Sequence, residues 1–241
     1  GKAFKEAING LGVYYGMDVS KDFGTLSFYV LERNLRTLLD LIKEVITYPN
    51  LPEYPTGQTE HAVTVLRTGD PQYNWVNNDV VLPSKTDLVV YELLIRDFDE
   101  LHSFDAVRNR LDYLQALGVN AIELMPISEF DGNESWGYNP SFHMALDKYY
   151  GNAEAFKQLV DECHGRGMAV ILDVVFNHAT GQNPYYRLWN TDNGGYGGAA
   201  SGESPFFNAE PTHSYNVFND FNHSQQATQD YVKRVAQYWI E

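Results

Sequence analysis

Met168-Ala169-Val170-Ile171-Leu172-Asp173-Val174-Val175-Phe176-Asn177-His178 is the stretch on which the fold turns. It is apolar at successive positions rather than at alternate ones, so a strand here is buried on both faces, as in a parallel sheet covered by helices. One carboxylate, Asp173, interrupts it. Upstream, Phe156, Leu159, Val160 and Cys163 form a helical stripe that ends at Gly165 and Gly167. Before that stripe lies a second apolar run, Val119 to Ile127. Further back, Phe104, Val107, Leu111, Leu114 and Leu117 make another stripe, which predicts one helix stopped by Gly118. The first apolar run, Leu88 to Leu94, is broken only by Glu92. Downstream, residues 179–219 are irregular and rich in Gly, Asn and Tyr, too long for an ordinary connection. Tyr231, Val232, Val235 and Trp239 then mark a last helix, with Ser224 as its expected cap. The order strand, helix, strand, helix, strand gives an α/β fold with three parallel units. A closed eight-stranded barrel needs roughly 250 residues, more than Asp87 to Glu241 supply. The sheet is therefore open and doubly wound, or it is part of a barrel.

The first 86 residues read differently. Residues 1–50 carry equal numbers of acidic and basic side chains, so the chain's net charge of −15 belongs to residues 51–241. They read helix, strand, strand, helix, a small αββα segment. Leu26, Phe28 and Val30 alternate as in a half-buried strand. Leu35, Leu38, Leu39, Ile42, Val45 and Ile46 form a helical stripe, stopped by Tyr48-Pro49-Asn50. Residues 51–86 hold many turn formers around one strand candidate, His61 to Leu66, and read as a connector or the remnant of a β module.

Function classes can be excluded from composition. With 17 basic against 32 acidic residues, the chain lacks the cationic surface that phosphate backbones require, and a nucleic-acid partner is not expected. No run approaches the ~20 apolar residues of a membrane span, and no signal-peptide pattern opens the sequence. The single cysteine, Cys163, excludes an intrachain disulfide. Phosphate-loop, dinucleotide, nucleophile-elbow and zinc-helix motifs are missing. Compartment and oligomeric state stay open. The chain begins at Gly1, which suggests a fragment or a processed product.

In parallel α/β folds the site forms at the carboxyl ends of the strands. Three places qualify: Arg96, Asp97 and Asp99 after the first strand; the loop Glu129 to Pro140 after the second; and Asp173 to His178 after the third. Asp173 is either a hydrogen-bonded anchor of the loop behind it or a functional carboxylate, since an unpaired one is too costly to bury. His178 alone reads as a satisfied loop histidine, but Asp, Asn and His within six residues favour a site. Trp136 and Tyr138 either pack the loop on itself or stack on a sugar ring, to which they offer a flat apolar face with a polar edge.

Lys85-Thr86-Asp87-Leu88-Val89-Val90-Tyr91-Glu92, Leu124-Met125-Pro126-Ile127, Trp136-Gly137-Tyr138-Asn139-Pro140 and Asp173-Val174-Val175-Phe176-Asn177-His178, in this order, resemble the α-amylase family, glycoside hydrolase family 13, over about residues 52–241. The resemblance implies a partial (β/α)8 TIM barrel, strands one to three with their helices, and a protruding loop domain at about 179–219. It implies retaining chemistry on α-1,4-linked glucans, so the expected partner is an α-glucan oligosaccharide or polysaccharide. By this resemblance Tyr138 stacks on the sugar beside the scissile bond, His178 hydrogen-bonds that sugar and Asp173 is the buried carboxylate that orients the site. Trp136 joins the substrate-binding set. Asn177 resembles a calcium ligand tying the loop domain to the barrel, with Asp220 as a second ligand. The family's nucleophile and acid follow strands four and five, so both are expected beyond Glu241 and no catalytic residue is expected within the chain. Taken alone, the chain is expected to hydrolyse nothing, and the alternative reading is a non-catalytic carbohydrate-binding module. Residues 1–50 resemble, more weakly, an internal stretch of the insulinase (pitrilysin-like) zinc peptidases in Leu11-Gly12, Asp22-Phe23-Gly24-Thr25 and Asn34-Leu35 through Tyr48-Pro49-Asn50, without that family's zinc helix. On these residues alone rests a further alternative, a zinc-peptidase-related protein, and the segment reads either as a foreign or fused fragment or as an unfamiliar N-terminal module.

Overall fold

The computed structural model describes residues 14–19, 24–29, 72–132 and 134–240. Two units are distinguished, residues 1–52 with 65–71 and residues 53–64 with 72–241. In the first, β1 (Tyr14–Val19) and β2 (Gly24–Tyr29) pair antiparallel, from Tyr14↔Tyr29 to Val19↔Gly24. β2 coincides with the alternating stretch around Leu26 and Phe28. The helices expected on either side, and the strand candidate His61 to Leu66, lie outside the described residues.

The second unit is built on three short parallel strands, β3 (Val90–Leu93), β4 (Ala121–Leu124) and β7 (Ala169–Leu172), in the order β3-β4-β7. Leu93, Leu124 and Leu172 are register partners, and so are Glu92, Glu123 and Ile171 one residue earlier. The central strand is the buried one: Ala121, Ile122 and Leu124 are almost inaccessible. The edge strands are less covered than their apolar sequences suggest, with Val89 and Val90 exposed and all of β7 half-buried.

The stripe from Phe104 does not form one helix. After the short α1 (Ile95–Phe98) it splits into α2 (Phe104–Arg108) and α3 (Leu111–Ala116). Arg110 N–H bonds the Val107 carbonyl three residues back, a tightened turn at the join. Phe104, Val107, Leu111 and Leu114 nevertheless all reach the core, because the tight turn keeps one face inward. Ser103 caps α2 by accepting from Ala106 N–H.

The stretch after the second strand, expected as a loop, contains a strand pair. β5 (Ser128–Phe130) runs antiparallel to β6 (Pro140–Leu146) and delivers the chain into α4 (Ala153–Gly165). Asp161 of α4 receives Tyr73 Oη, Val76 N–H and Asn77 N–H at 3.2, 3.0 and 2.9 Å. Part of the presumed connector is thus clasped onto this helix. Beyond β7 the irregular stretch contains β8 (His178–Ala179), α5 (Pro184–Leu188) and β9 (Asn219–Asp220), with β8 and β9 antiparallel. The last helix, α6 (Gln226–Ile240), buries Tyr231 and Val235. Ser224 does not cap it: the hydroxyl donates to Asn222 Oδ1 at 2.5 Å, two residues before it.

Among the described residues the core has two parts. One, around Leu93, Leu111, Ile122, Leu124 and Leu159, lies under the parallel sheet. The other, around Tyr186, Phe207, Phe221, Tyr231 and Val235, is largely aromatic and joins the irregular stretch 179–219 to α6. Trp239 packs against both.

Candidate active site

Tyr138 and Asp173 meet at the carboxyl end of the parallel sheet. Asp173 N–H continues the β4·β7 ladder by donating to the Leu124 carbonyl at 2.9 Å, which puts the side chain just past the strand end. Tyr138 is carried there by a sharp loop. Gly137 has φ +90°, and a Cβ on it would lie 2.5 Å from the Pro126 carbonyl oxygen, so only glycine lets the loop approach this closely. Ser135 Oγ accepts from Gly137 N–H at 3.0 Å, and Asn139 Nδ2 donates to the Asp131 carbonyl at 2.8 Å, closing the loop on itself.

Both ends of Tyr138 are used. The hydroxyl donates to Asp173 Oδ2 at 2.5 Å, and the main-chain carbonyl accepts from His178 Nε2 at 2.8 Å. The expected triad of Tyr138, Asp173 and His178 is therefore one contiguous group. The hydrogen bond to Asp173, with partial burial and the charges of Asp173, Glu92 and Glu123, pushes the Tyr138 phenol up to about 12. The phenol therefore stays protonated and remains the donor of this bond. Asp173, expected to be buried, is half-buried because it stands at an open mouth. His178 is buried, its Nδ1 has no hydrogen-bond partner, and its ring lies 5.5 Å from that of Phe218. Trp136 stands apart, 61% exposed at the loop tip.

The two loops are stitched together just behind the triad. Thr180 N–H donates to the Pro140 carbonyl at 3.0 Å, the Ser141 and Thr180 hydroxyls are 2.6 Å apart, and Asn183 Nδ2 donates to the Ser141 carbonyl at 3.0 Å. Below them, His143 on β6 bonds the Val175 carbonyl through Nε2 and the Tyr231 hydroxyl through Nδ1, both at 3.0 Å. Burial pushes the His143 imidazolium down to about 4, so the ring is neutral. Sequence reasoning passed over His143. The available signal was the inverted alternation of β6, where Ser141, His143 and Ala145 are buried and Phe142, Met144 and Leu146 are only half-buried.

A second buried polar group, also unforeseen, braces the Tyr138 loop from behind. Lys148 Nζ lies 2.9 Å from Glu129 Oε1, 3.1 Å from the Phe130 carbonyl and 3.6 Å from Asp147 Oδ2. Two acids share one ammonium. Burial, with the neighbouring Asp147 charge, pushes Glu129 up to about 7, and burial pushes Asp147 up to about 6.

The two expected calcium ligands flank the β8·β9 pair differently. Asn177 is exposed, and its carbonyl accepts from Phe221 N–H at 2.9 Å. Asp220 is buried; its Oδ2 accepts from Asn208 Nδ2 at 2.7 Å and Thr212 Oγ1 at 3.3 Å, and its Oδ1 lies 3.3 Å from His213 Nε2. Asp220 also lines a cavity of about 240 Å³ with Asn208, Glu210, Asn216 and Asn219, but Asn177 does not. Amide and carboxylate oxygens are the donors a hard cation takes, so the set fits in kind. Among the described residues no three His, Cys, Asp or Glu side chains form a metal-holding group.

The family model "Alpha amylase, catalytic domain" matches residues 97–219. The malto-oligosyltrehalose trehalohydrolase of Saccharolobus solfataricus is 43% identical over 115 residues, covering 48% of this chain and 20% of that protein. The 1,4-alpha-glucan branching enzyme of Nitrosomonas eutropha is 34% identical over 167 residues, covering 64% of this chain and 22% of that protein. The chain thus spans about a fifth of the length of these relatives. Among solved structures, a Salmonella typhimurium protein assigned as an alpha amylase superposes with a TM-score of 0.61 at 28% identity, over 73% of this chain and 28% of that one. An Anoxybacillus alpha-amylase gives 0.53 at 22% identity over 66% of this chain and 39% of that one, a likeness of fold. The family match begins beyond residues 1–50 and says nothing of their peptidase resemblance.

Proposed function

The chain belongs to the α-amylase family, and from that premise we propose that it supplies the sugar-holding part of a site for α-1,4-linked glucans. The observation that carries this reading is Tyr138 joined at once to Asp173 and His178. The half-exposed phenol ring offers a flat apolar platform for a glucosyl face. The Asp173 carboxylate beside it accepts sugar hydroxyls, and charge-assisted hydrogen bonds of this kind are stronger than neutral ones. A neutral glucan is indifferent to the net charge of −15, which would repel a polyphosphate. In a retaining glycosidase, bond cleavage needs two carboxyl groups about 5–5.5 Å apart across the glycosidic bond. Asp173, engaged by a phenol, takes a holding role instead, so this chain binds glucan without cleaving it.

Calorimetric titration of the chain with maltoheptaose tests the reading. Saturable binding, abolished by Tyr138→Ala and by Asp173→Asn, with no new reducing ends, is the expected result; absence of saturable binding removes it. Calcium is part of the same proposal. Asp220 would hold it through its carboxylate, with Asn177 as the second oxygen donor, and the ion would supply a structural tie and no chemistry. Calcium should then raise the melting temperature of the wild type and not that of Asp220→Asn, and an unchanged wild-type melting temperature removes the ion.

A further inference from the structure

His143 lies five residues past Tyr138 on β6, 3% exposed, among the rings of Phe176, Phe221 and Tyr231. A neutral imidazole has one N–H and one lone pair, and the two partners fix which nitrogen has which. The Val175 carbonyl can only accept, so Nε2 carries the hydrogen; Nδ1 then accepts from the Tyr231 hydroxyl. α6 holds the same residue a second time, through Trp239 Nε1–H, which donates to the His143 carbonyl at 2.8 Å. Val175 sits between Asp173 and His178, the two residues that grip Tyr138.

We propose that His143 is a positioning residue of the sugar-facing turn: it holds the Val175 carbonyl in place and ties it to Tyr231 of α6, so that Asp173 and His178 both stay in reach of Tyr138. An apolar side chain of the same bulk would remove both bonds, leaving the part-buried Val175 carbonyl without its imidazole donor and the Tyr231 hydroxyl with Asn183 alone, and the turn between Asp173 and His178 would shift to find another donor. Glutamine carries one donor and one acceptor on a flexible arm and can restore both bonds. A histidine that merely filled the core would affect folding stability and nothing else.

Three variants of the chain separate these roles: His143→Leu, His143→Gln and Tyr231→Phe. Each is read by maltoheptaose titration below its melting temperature and by the nitrogen resonances of the His178 ring. His143→Leu should weaken binding by about tenfold or more and perturb His178 Nε2, whose partner is the Tyr138 carbonyl. His143→Gln should stay within about threefold of the wild type, and Tyr231→Phe should move both readouts in the same direction as His143→Leu, by less. A lower melting temperature with affinity and His178 resonances as in the wild type overturns the proposal. If His143→Leu does not fold, an unchanged Tyr231→Phe overturns it in the same way. The affinity readout rests on the glucan reading and the His178 spectrum does not. If the wild type fails to bind maltoheptaose, that reading falls, and the His178 spectrum alone decides the role of His143.

Discussion

The parallel sheet and the irregular stretch that follows it solve the same burial problem with different materials. Around β3, β4 and β7 the core is mostly aliphatic, and backbone ladders position what stands at the strand ends. Around β8 and β9 it is aromatic, with Tyr185 on Phe206 and Phe207 on Phe221, each 4.3 Å apart. There the backbone is held by side chains: Asn183 Oδ1 caps α5, the Tyr186 hydroxyl donates to the Gly198 carbonyl at 2.6 Å, and Asn190 Nδ2 donates to the Gly195 carbonyl at 2.7 Å. Aliphatic burial follows a period of two or 3.6 residues; side-chain bonds to loop carbonyls follow none. The first region was therefore legible in the sequence and the second only as a long irregular stretch. The candidate site lies where the two join, with Asp173 from the sheet and Tyr138 and His178 from the loops.

The largest expected effect breaks the sheet side of this comparison. Leu124 is fully buried at the centre of the parallel sheet, and its carbonyl receives Asp173 N–H. Leu124→Ala should cost about 2–5 kcal/mol through the cavity it leaves, read by chemical denaturation. A change below about 1 kcal/mol would mean that the aliphatic core does not carry this unit. Gly137→Ala comes next, on the loop side. It forces a Cβ against Pro126 at positive φ, which costs about 1–3 kcal/mol. Because the strain falls on the Tyr138 loop, maltoheptaose affinity should fall with stability; full affinity would show that the loop has another way to present Tyr138.

How far the site itself was legible follows from the same contrast. Asp173 announced itself as a carboxylate interrupting a buried run, where it must find a partner; His178 stood out only through its nearness to Asp173 and Asn177, and Tyr138 only through the family resemblance. Glu129, Asp147, Lys148 and His143 did not, because a buried charge network looks in sequence like any solvated turn. Only the fold shows that Glu129 and Lys148, nineteen residues apart, meet with almost no solvent. The split of the stripe after Phe104 was hidden for a related reason. A tightened turn at residues 109–110 keeps the apolar face continuous and leaves the periodicity intact.

The buried network gives a prediction with a sign. Glu129 and Asp147 have folded pKa values raised to about 7 and about 6. Between the ordinary carboxylate range and those values, the folded chain keeps protons that the unfolded chain has released, so stability falls as pH rises through this window. The melting temperature should be higher at pH 5 than at pH 8. Asp147→Asn removes one of two acids from a single ammonium and should flatten that slope, raising stability at pH 8 by about 1 kcal/mol. The same slope in wild type and variant would locate the pH response elsewhere in this strongly acidic chain.

The smallest effect sharpens the account of the split helix. Arg110, at the join of α2 and α3, pairs with Asp99 at 3.0 Å, and the arginine side chain is 59% exposed. An ion pair this wet is weakened by solvent screening, so Arg110→Ala should shift the melting temperature by about 3 °C or less and leave glucan affinity unchanged. Burial of Val107 and Leu111 on either side of the join should hold the two segments together without it. A shift several times larger would assign the tightened turn to the arginine and its reach back to Asp99, making the break a product of surface electrostatics and not of the core beneath it.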